Sequence, residues 1–191
     1  MGKGRLEAFS DGVLAIIITI MVLELKVPHG DTLADLEPLI PVFVSYILSF
    51  LHVGIYWTNH HHMLTTVHHV SGAILWANLL LLFCLSLFPA STAWMGETHF
   101  AVWPTVVYGV VLLAAAGAYF LLERLIIRDQ GPGSPLAKAV GSDWKGKSSP
   151  ALYLAGIAAS FWHPWIGVAF YSAVALMWLV PDRRIERIVT D

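Results

Sequence analysis

Apolar residues in this chain gather in long unbroken runs, at residues 9–25, 40–57, 73–94, 102–122 and 151–180. A helix needs about 20 apolar residues to cross the hydrocarbon core of a bilayer. Each of the first four runs supplies one crossing, and the last is long enough for two. His163-Pro164 divides that last run, because proline has no N–H and pushes the residue before it out of helical backbone. The pattern predicts a short fifth helix, a tight turn at residues 162–165 and a sixth helix. Trp162 and Trp165 flank the turn, as aromatics do at membrane interfaces. The runs are continuous and do not alternate, so a barrel of strands is a poor fit. Backbone groups in lipid need internal partners, which helices supply. The expectation is an all-α integral membrane protein: one domain over residues 1–191 with six transmembrane helices per subunit. Between the fourth and fifth helices, residues 129–149 hold a Gly-Pro-Gly-Ser-Pro run and read as a flexible connector.

Composition agrees. Hydrophobic residues make up 57 % and charged residues 13 %, against roughly a quarter charged in soluble domains; the mean hydropathy is +0.69. Cys84 is the lone cysteine, which rules out an intrachain disulfide framework. A net charge of −2 gives no support for a nucleic-acid partner. Lys3 and Arg5 ahead of an apolar stretch resemble a signal peptide, but Asp11 interrupts that stretch and no small-x-small cleavage site follows. It reads as a retained first helix. Orientation follows from the basic residues. With six crossings, Lys3, Arg5, Arg124, Arg128, Lys138, Lys145, Lys147, Arg183, Arg184 and Arg187 share one side. Lys26 stands on the other with Asp31, Asp35, Glu37 and Glu97. Both termini are therefore expected to be cytoplasmic.

The first helix carries the chemistry. An acidic residue in a membrane helix is costly and marks a functional or structural site with a partner; Asp11 is one, near the cytoplasmic end. At about 100° per residue, Gly12, Ile16, Thr19, Ile20, Leu23 and Val27 form one stripe, and Asp11 lies roughly 140° from Ile16. The carboxylate and the stripe face different surroundings. The stripe suits a pore lining, and equally a surface against lipid or another helix, the common use of such stripes.

The string Arg5-x-x-x-Phe9-Ser10-Asp11 at the start of the first helix resembles the signature of the transmembrane-protein-175 potassium channel family. The likeness extends to the six-span pattern, Trp57-x-x-His60 near the end of helix two, Asn78 in helix three, and the Pro181-Asp182-Arg183-Arg184 end. It points to the single-repeat bacterial members. The resemblance implies a homotetramer whose first helices surround the ion path. It places a ring of bulky apolar side chains at Ile16, further constrictions at Ile20 and Leu23, and a hydroxyl position at Thr19. It assigns Phe9, Ser10 and Asp11 to packing against helices two and three, with Trp57, His60 and Asn78 as possible partners of Asp11. The expected cargo is K+ with other monovalent cations, the expected location a multi-pass plasma (inner) membrane, and no cofactor or resident metal is implied. The chain has no Thr-Val-Gly-Tyr-Gly carbonyl filter.

Nine histidines are unusual in so apolar a chain, and they cluster at His60-His61-His62 and His68-His69. Imidazole is the commonest metal ligand, but consecutive helical residues point about 100° apart, so three in a row cannot share one ion. His60 is expected to face inward and the others headgroups or water. His52 invites a haem reading, yet nothing else marks a porphyrin pocket. No nucleophile–base constellation is present, so no enzyme is expected. The rival readings are a secondary transporter of a small cation and a histidine-dependent metal-binding membrane protein. A transporter would call for internal repeats and paired broken helices, which the sequence does not display.

Overall fold

The computed structural model describes residues 2–140 and 144–179, which are helical apart from short connections. The helices are α1 (Lys3–Leu23), α2 (Ile40–Thr65), α3 (Gly72–Ser86), α4 (Phe88–Glu97), α5 (Val102–Gln130), α6 (Pro135–Val140), α7 (Trp144–Ser160) and α8 (Pro164–Leu179), with a 3-10 turn at Leu33–Leu39. Four segments are long and apolar enough to cross a membrane: α1, the 3-10 turn continuing into α2, α3 with α4, and α5. Helix α8 is apolar but shorter, at 16 residues.

Sequence boundaries shift where polar residues still satisfy a helix. Helix α1 starts at Lys3, six residues before the apolar run, and α2 continues through the histidines to Thr65. The third apolar run is two helices. They meet at Leu87, two residues before Pro89, where the missing N–H and the ring's clash with the preceding turn interrupt the ladder. The last run divides at residues 161–163, between α7 and α8. The connector reading of residues 129–149 needs correction: α6 forms within it and α7 begins at Trp144. Ser134 supplies the local reason, its hydroxyl accepting from Ala137 N at 3.3 Å at the start of α6, as an N-cap does. The Pro181-Asp182-Arg183-Arg184 end lies outside the described residues.

Two groups of helices share one core. Helix α1 packs on α2, α3 and α4; α5 packs on α3 and on the α7–α8 hairpin. Tyr108 and Tyr171 lie fully buried where these groups meet. Ser49 donates to the Tyr108 hydroxyl at 3.0 Å and shares a 2.6 Å hydrogen bond with Thr92, so the polar atoms brought into the core are satisfied there. Small residues admit close approach. A Cβ at Gly156 would stand 2.6 Å from the Tyr171 ring, so α7 and α8 meet almost backbone to ring, a packing mode typical of membrane helices.

Burial is uneven. Over an 18-residue apolar stretch of the spans of α1 and of α2 with its 3-10 turn, 28 % of residues are buried, against 50 % in such a stretch of the α3–α4 and α5 spans. The first two spans therefore carry broad faces that no other described residue of the chain covers.

Candidate functional site

Helix α1 has two sides. Leu6, Ser10, Leu14, Ile17 and Met21 are buried, spaced by three and four so that they form one face. On the other side Gly12, Ile16, Thr19, Ile20 and Leu23 are all exposed. Ile16 is 58 % exposed and Leu23 80 %, and a Cβ built at Gly12 would meet no atom within 4 Å. The stripe read from the helical wheel is thus a real, continuous apolar surface. Thr19 donates its hydroxyl proton to the Ile16 carbonyl at 2.9 Å. Its oxygen keeps its lone pairs, so on this face it presents an acceptor.

The buried face is fixed at its Lys3 end by a chain of hydrogen bonds. His60 Nε2 lies 2.7 Å from Asn78 Oδ1. Asn78 Nδ2 donates to Ser10 Oγ at 3.0 Å, and Ser10 donates to the Leu6 carbonyl at 2.8 Å. The Asn78 amide oxygen can only accept, so His60 Nε2 carries a proton and donates. Ser10 and Asn78 are fully buried and His60 nearly so. One chain therefore joins α2, α3 and α1 where unpaired polar groups would be costly.

Asp11 takes a different partner. Trp57 Nε1 donates to Asp11 Oδ1 at 3.1 Å, so of the three candidates it is Trp57 that holds the carboxylate. Asp11 is exposed, Trp57 stays half-exposed, and the indole stacks on His61. Phe9 is 50 % exposed and Arg5 is exposed, so of the Phe-Ser-Asp string only Ser10 is interred. One tie escaped the sequence reading: Lys3 Nζ donates to the Thr65 carbonyl at 2.7 Å, clipping the start of α1 to the end of α2. A lysine ahead of a helix gives no signal for such a clip. At the opposite end Lys26 pairs with Glu97 at 2.6 Å, joining the segment after α1 to the end of α4.

Among the histidines, His61, His68 and His69 are exposed and His60 is buried. No group of three His, Cys, Asp or Glu side chains able to hold a metal ion occurs among the described residues.

Comparison with known proteins places this arrangement. The family described as endosomal/lysosomal potassium channel TMEM175 matches residues 5–89, from the Phe-Ser-Asp string to the break at Pro89. A potassium channel of Chryseobacterium sp. (strain P1-3) is 58 % identical over 187 residues, 98 % of this chain and 97 % of that protein. A potassium channel of Chamaesiphon minutus is 32 % identical over 193 residues, 90 % and 91 % of the two chains. The fold matches the crystal structure of a lysosomal potassium-selective channel TMEM175 homologue from Chamaesiphon minutus with a TM-score of 0.83 at 30 % identity, covering 94 % of this chain and 97 % of that one. On sequence along nearly its whole length, and on fold, the chain belongs to the TMEM175 channel family.

Proposed function

We propose that the chain is a potassium-permeable cation channel in which the first helices of four copies enclose the ion path. The two bacterial relatives that match it along nearly its whole length are named as potassium channels, not as enzymes. The observation that carries the reading is the uncovered apolar stripe of α1. One helix cannot enclose a pore, so the path needs several copies around a shared axis in a closed ring.

Ile16, Ile20 and Leu23 then form successive apolar constrictions. Such a neck expels water and closes by dewetting; slight widening admits a column of water and ions. Potassium holds its hydration shell less tightly than sodium, so partial dehydration costs it less. The Thr19 oxygens, with their protons committed to main-chain carbonyls, replace part of the lost hydration. A filter with so few oxygens selects modestly. Glu24 and the acidic outer segment of Asp31, Asp35 and Glu37 raise the local cation concentration. Ser10, Asp11, Trp57, His60 and Asn78 hold α1 in register and do not touch the ion, while Arg5 and Phe9 flank them.

In this reading the whole of residues 1–191 is one six-span unit. Helices α7 and α8 form the last two spans, both termini are cytoplasmic, and the protein sits in the plasma (inner) membrane. The test is potassium flux from liposomes holding the purified protein. Wild type is expected to pass potassium in preference to sodium, and Ile16→Asn, which wets the neck, to lose that preference. An unchanged ratio in the variant removes Ile16 from the neck. Transport without unitary current steps in planar bilayers turns the protein into a transporter.

A further inference from the structure

A pocket opens where the polar ends of α5 and α7 meet α6, and no residue of α1 lines it. Phe120, Ile127, Ala137 and Val140 give it an apolar wall, and Arg124 and Lys147 bring two cations to it. It encloses about 140 Å³, on the order of ten times what one water needs, so a phosphate group fits. The apolar run of α5 ends at residue 122 and that of α7 begins at residue 151. The pocket therefore spans the place where α5 leaves its apolar run, about one helical turn outside that of α7. In a bilayer around α5, a helix long and apolar enough to cross one, that is headgroup depth.

The two cations are uncommitted. Neither Arg124 nor Lys147 has an ion pair or a hydrogen-bonded side chain among the described residues, and both are exposed. The Arg124 guanidinium carbon stands 4.7 Å from the centre of the Phe120 ring. A guanidinium held over a ring spends its face there and keeps its N–H edge, the fork that pairs with two phosphate oxygens at once. Glu123 also lines the pocket, but it is buried and already engaged, and its one charge is set against two. The wider segment carries Arg124, Arg128, Lys138, Lys145 and Lys147 against Glu123, Asp129 and Asp143, so the local field favours an anion.

We propose that this pocket seats the phosphate of an anionic phospholipid, with Arg124 pairing with its two free oxygens and Lys147 adding a second positive charge. The glycerol and acyl chains stay outside the pocket, in the bilayer. Phe120 lies one helical turn nearer the membrane centre than Arg124 and is 42 % exposed, a surface for the first methylenes. An anionic lipid suits the site better than a zwitterionic one, because a zwitterion carries an ammonium of its own toward two cations. The site is separate from the α1 stripe and does not depend on where the ions pass.

The experiment is native mass spectrometry of the full-length protein in detergent with equal amounts of dioleoyl phosphatidylglycerol and dioleoyl phosphatidylcholine. Wild type is expected to hold the phosphatidylglycerol at least about tenfold more tightly, as charge-assisted pairing would give. Replacing both cations, Arg124→Gln with Lys147→Gln, is expected to bring the two lipids level. Ala137→Phe fills the pocket with both charges kept and is expected to do the same. Arg128→Gln removes a charge of the same segment outside the lining and is expected to change binding less than about twofold. Excess inorganic phosphate is expected to leave the lipid in place. Level binding of the two lipids by wild type, or a preference that survives in either pocket variant, would overturn the proposal. An equal loss in Arg128→Gln would replace the pocket with diffuse surface charge. Displacement by inorganic phosphate would make it a site for the soluble anion. The lipid comparison and the phosphate competition use wild type alone, so they stand even if a variant does not fold.

Discussion

Asn78 is the residue on which the motif turns, because both ends of its amide are used at once. Its oxygen accepts from His60 and its nitrogen donates to Ser10. Asn78→Ala would orphan two buried groups, each worth about 1–3 kcal/mol, and is expected to cost about 2–4 kcal/mol in thermal unfolding of the purified protein. Trp57→Phe keeps the ring and loses only the bond to a half-solvated carboxylate, so the expected loss is about 1 kcal/mol. If the two variants melt alike, the buried chain is not the stronger of the two ties. Polar residues inside apolar helices made His60, Asn78, Ser10 and Asp11 visible in the sequence. Their pairing was not visible, because a sequence fixes angles around one helix but not the rotation of one helix against the next. Only the packed bundle sends Ser10 to Asn78 and Asp11 to Trp57.

At the level of elements, hydropathy located the apolar spans and misjudged their ends. Helices run past the hydrocarbon into polar residues, so α5 reaches Gln130 and α2 reaches Thr65. Hydropathy has no signal there, and only hydrogen bonding decides. The short helix α6 was illegible for the same reason, lying among glycines and prolines that read as loop. Contact between spans depends on small residues that hydropathy scarcely weighs. Gly156→Val would drive a side chain into the buried Tyr171 ring and is expected to lower stability by about 3 kcal/mol. Gly117, with nothing within 4 Å of an added Cβ, is the control: Gly117→Ala is expected to leave stability unchanged or raise it by up to about 1 kcal/mol through helix propensity. Thermal melting of both variants in detergent measures the contrast.

For the whole molecule, the proposed topology puts the 3-10 turn and the α5–α6 connection on opposite sides of the membrane. In a Cys84→Ser background, Leu33→Cys is expected to react from outside intact cells with a membrane-impermeant maleimide. Gly133→Cys is expected to react only after the cells are opened. Labelling of both from outside would break the assignment of orientation by basic residues. The channel reading also requires association, since among the described residues nothing covers the stripe on α1. Native mass spectrometry of the purified protein is expected to give four copies. A monomer that still carries potassium flux would end the shared-axis reading.

The chain from His60 to Leu6 has a direction. Every member passes its hydrogen the same way, and the last acceptor is a main-chain carbonyl that has no proton to hand on. An amide such as Asn78 does not relay protons at ordinary cost, and the carbonyl closes the line. The motif on the buried face of α1 is therefore an insulator to proton hopping and not a wire. On the channel reading, a proton that crosses gains nothing from this hydrogen-bonded chain; one carried by the water of the proposed path would stop whenever the neck dries.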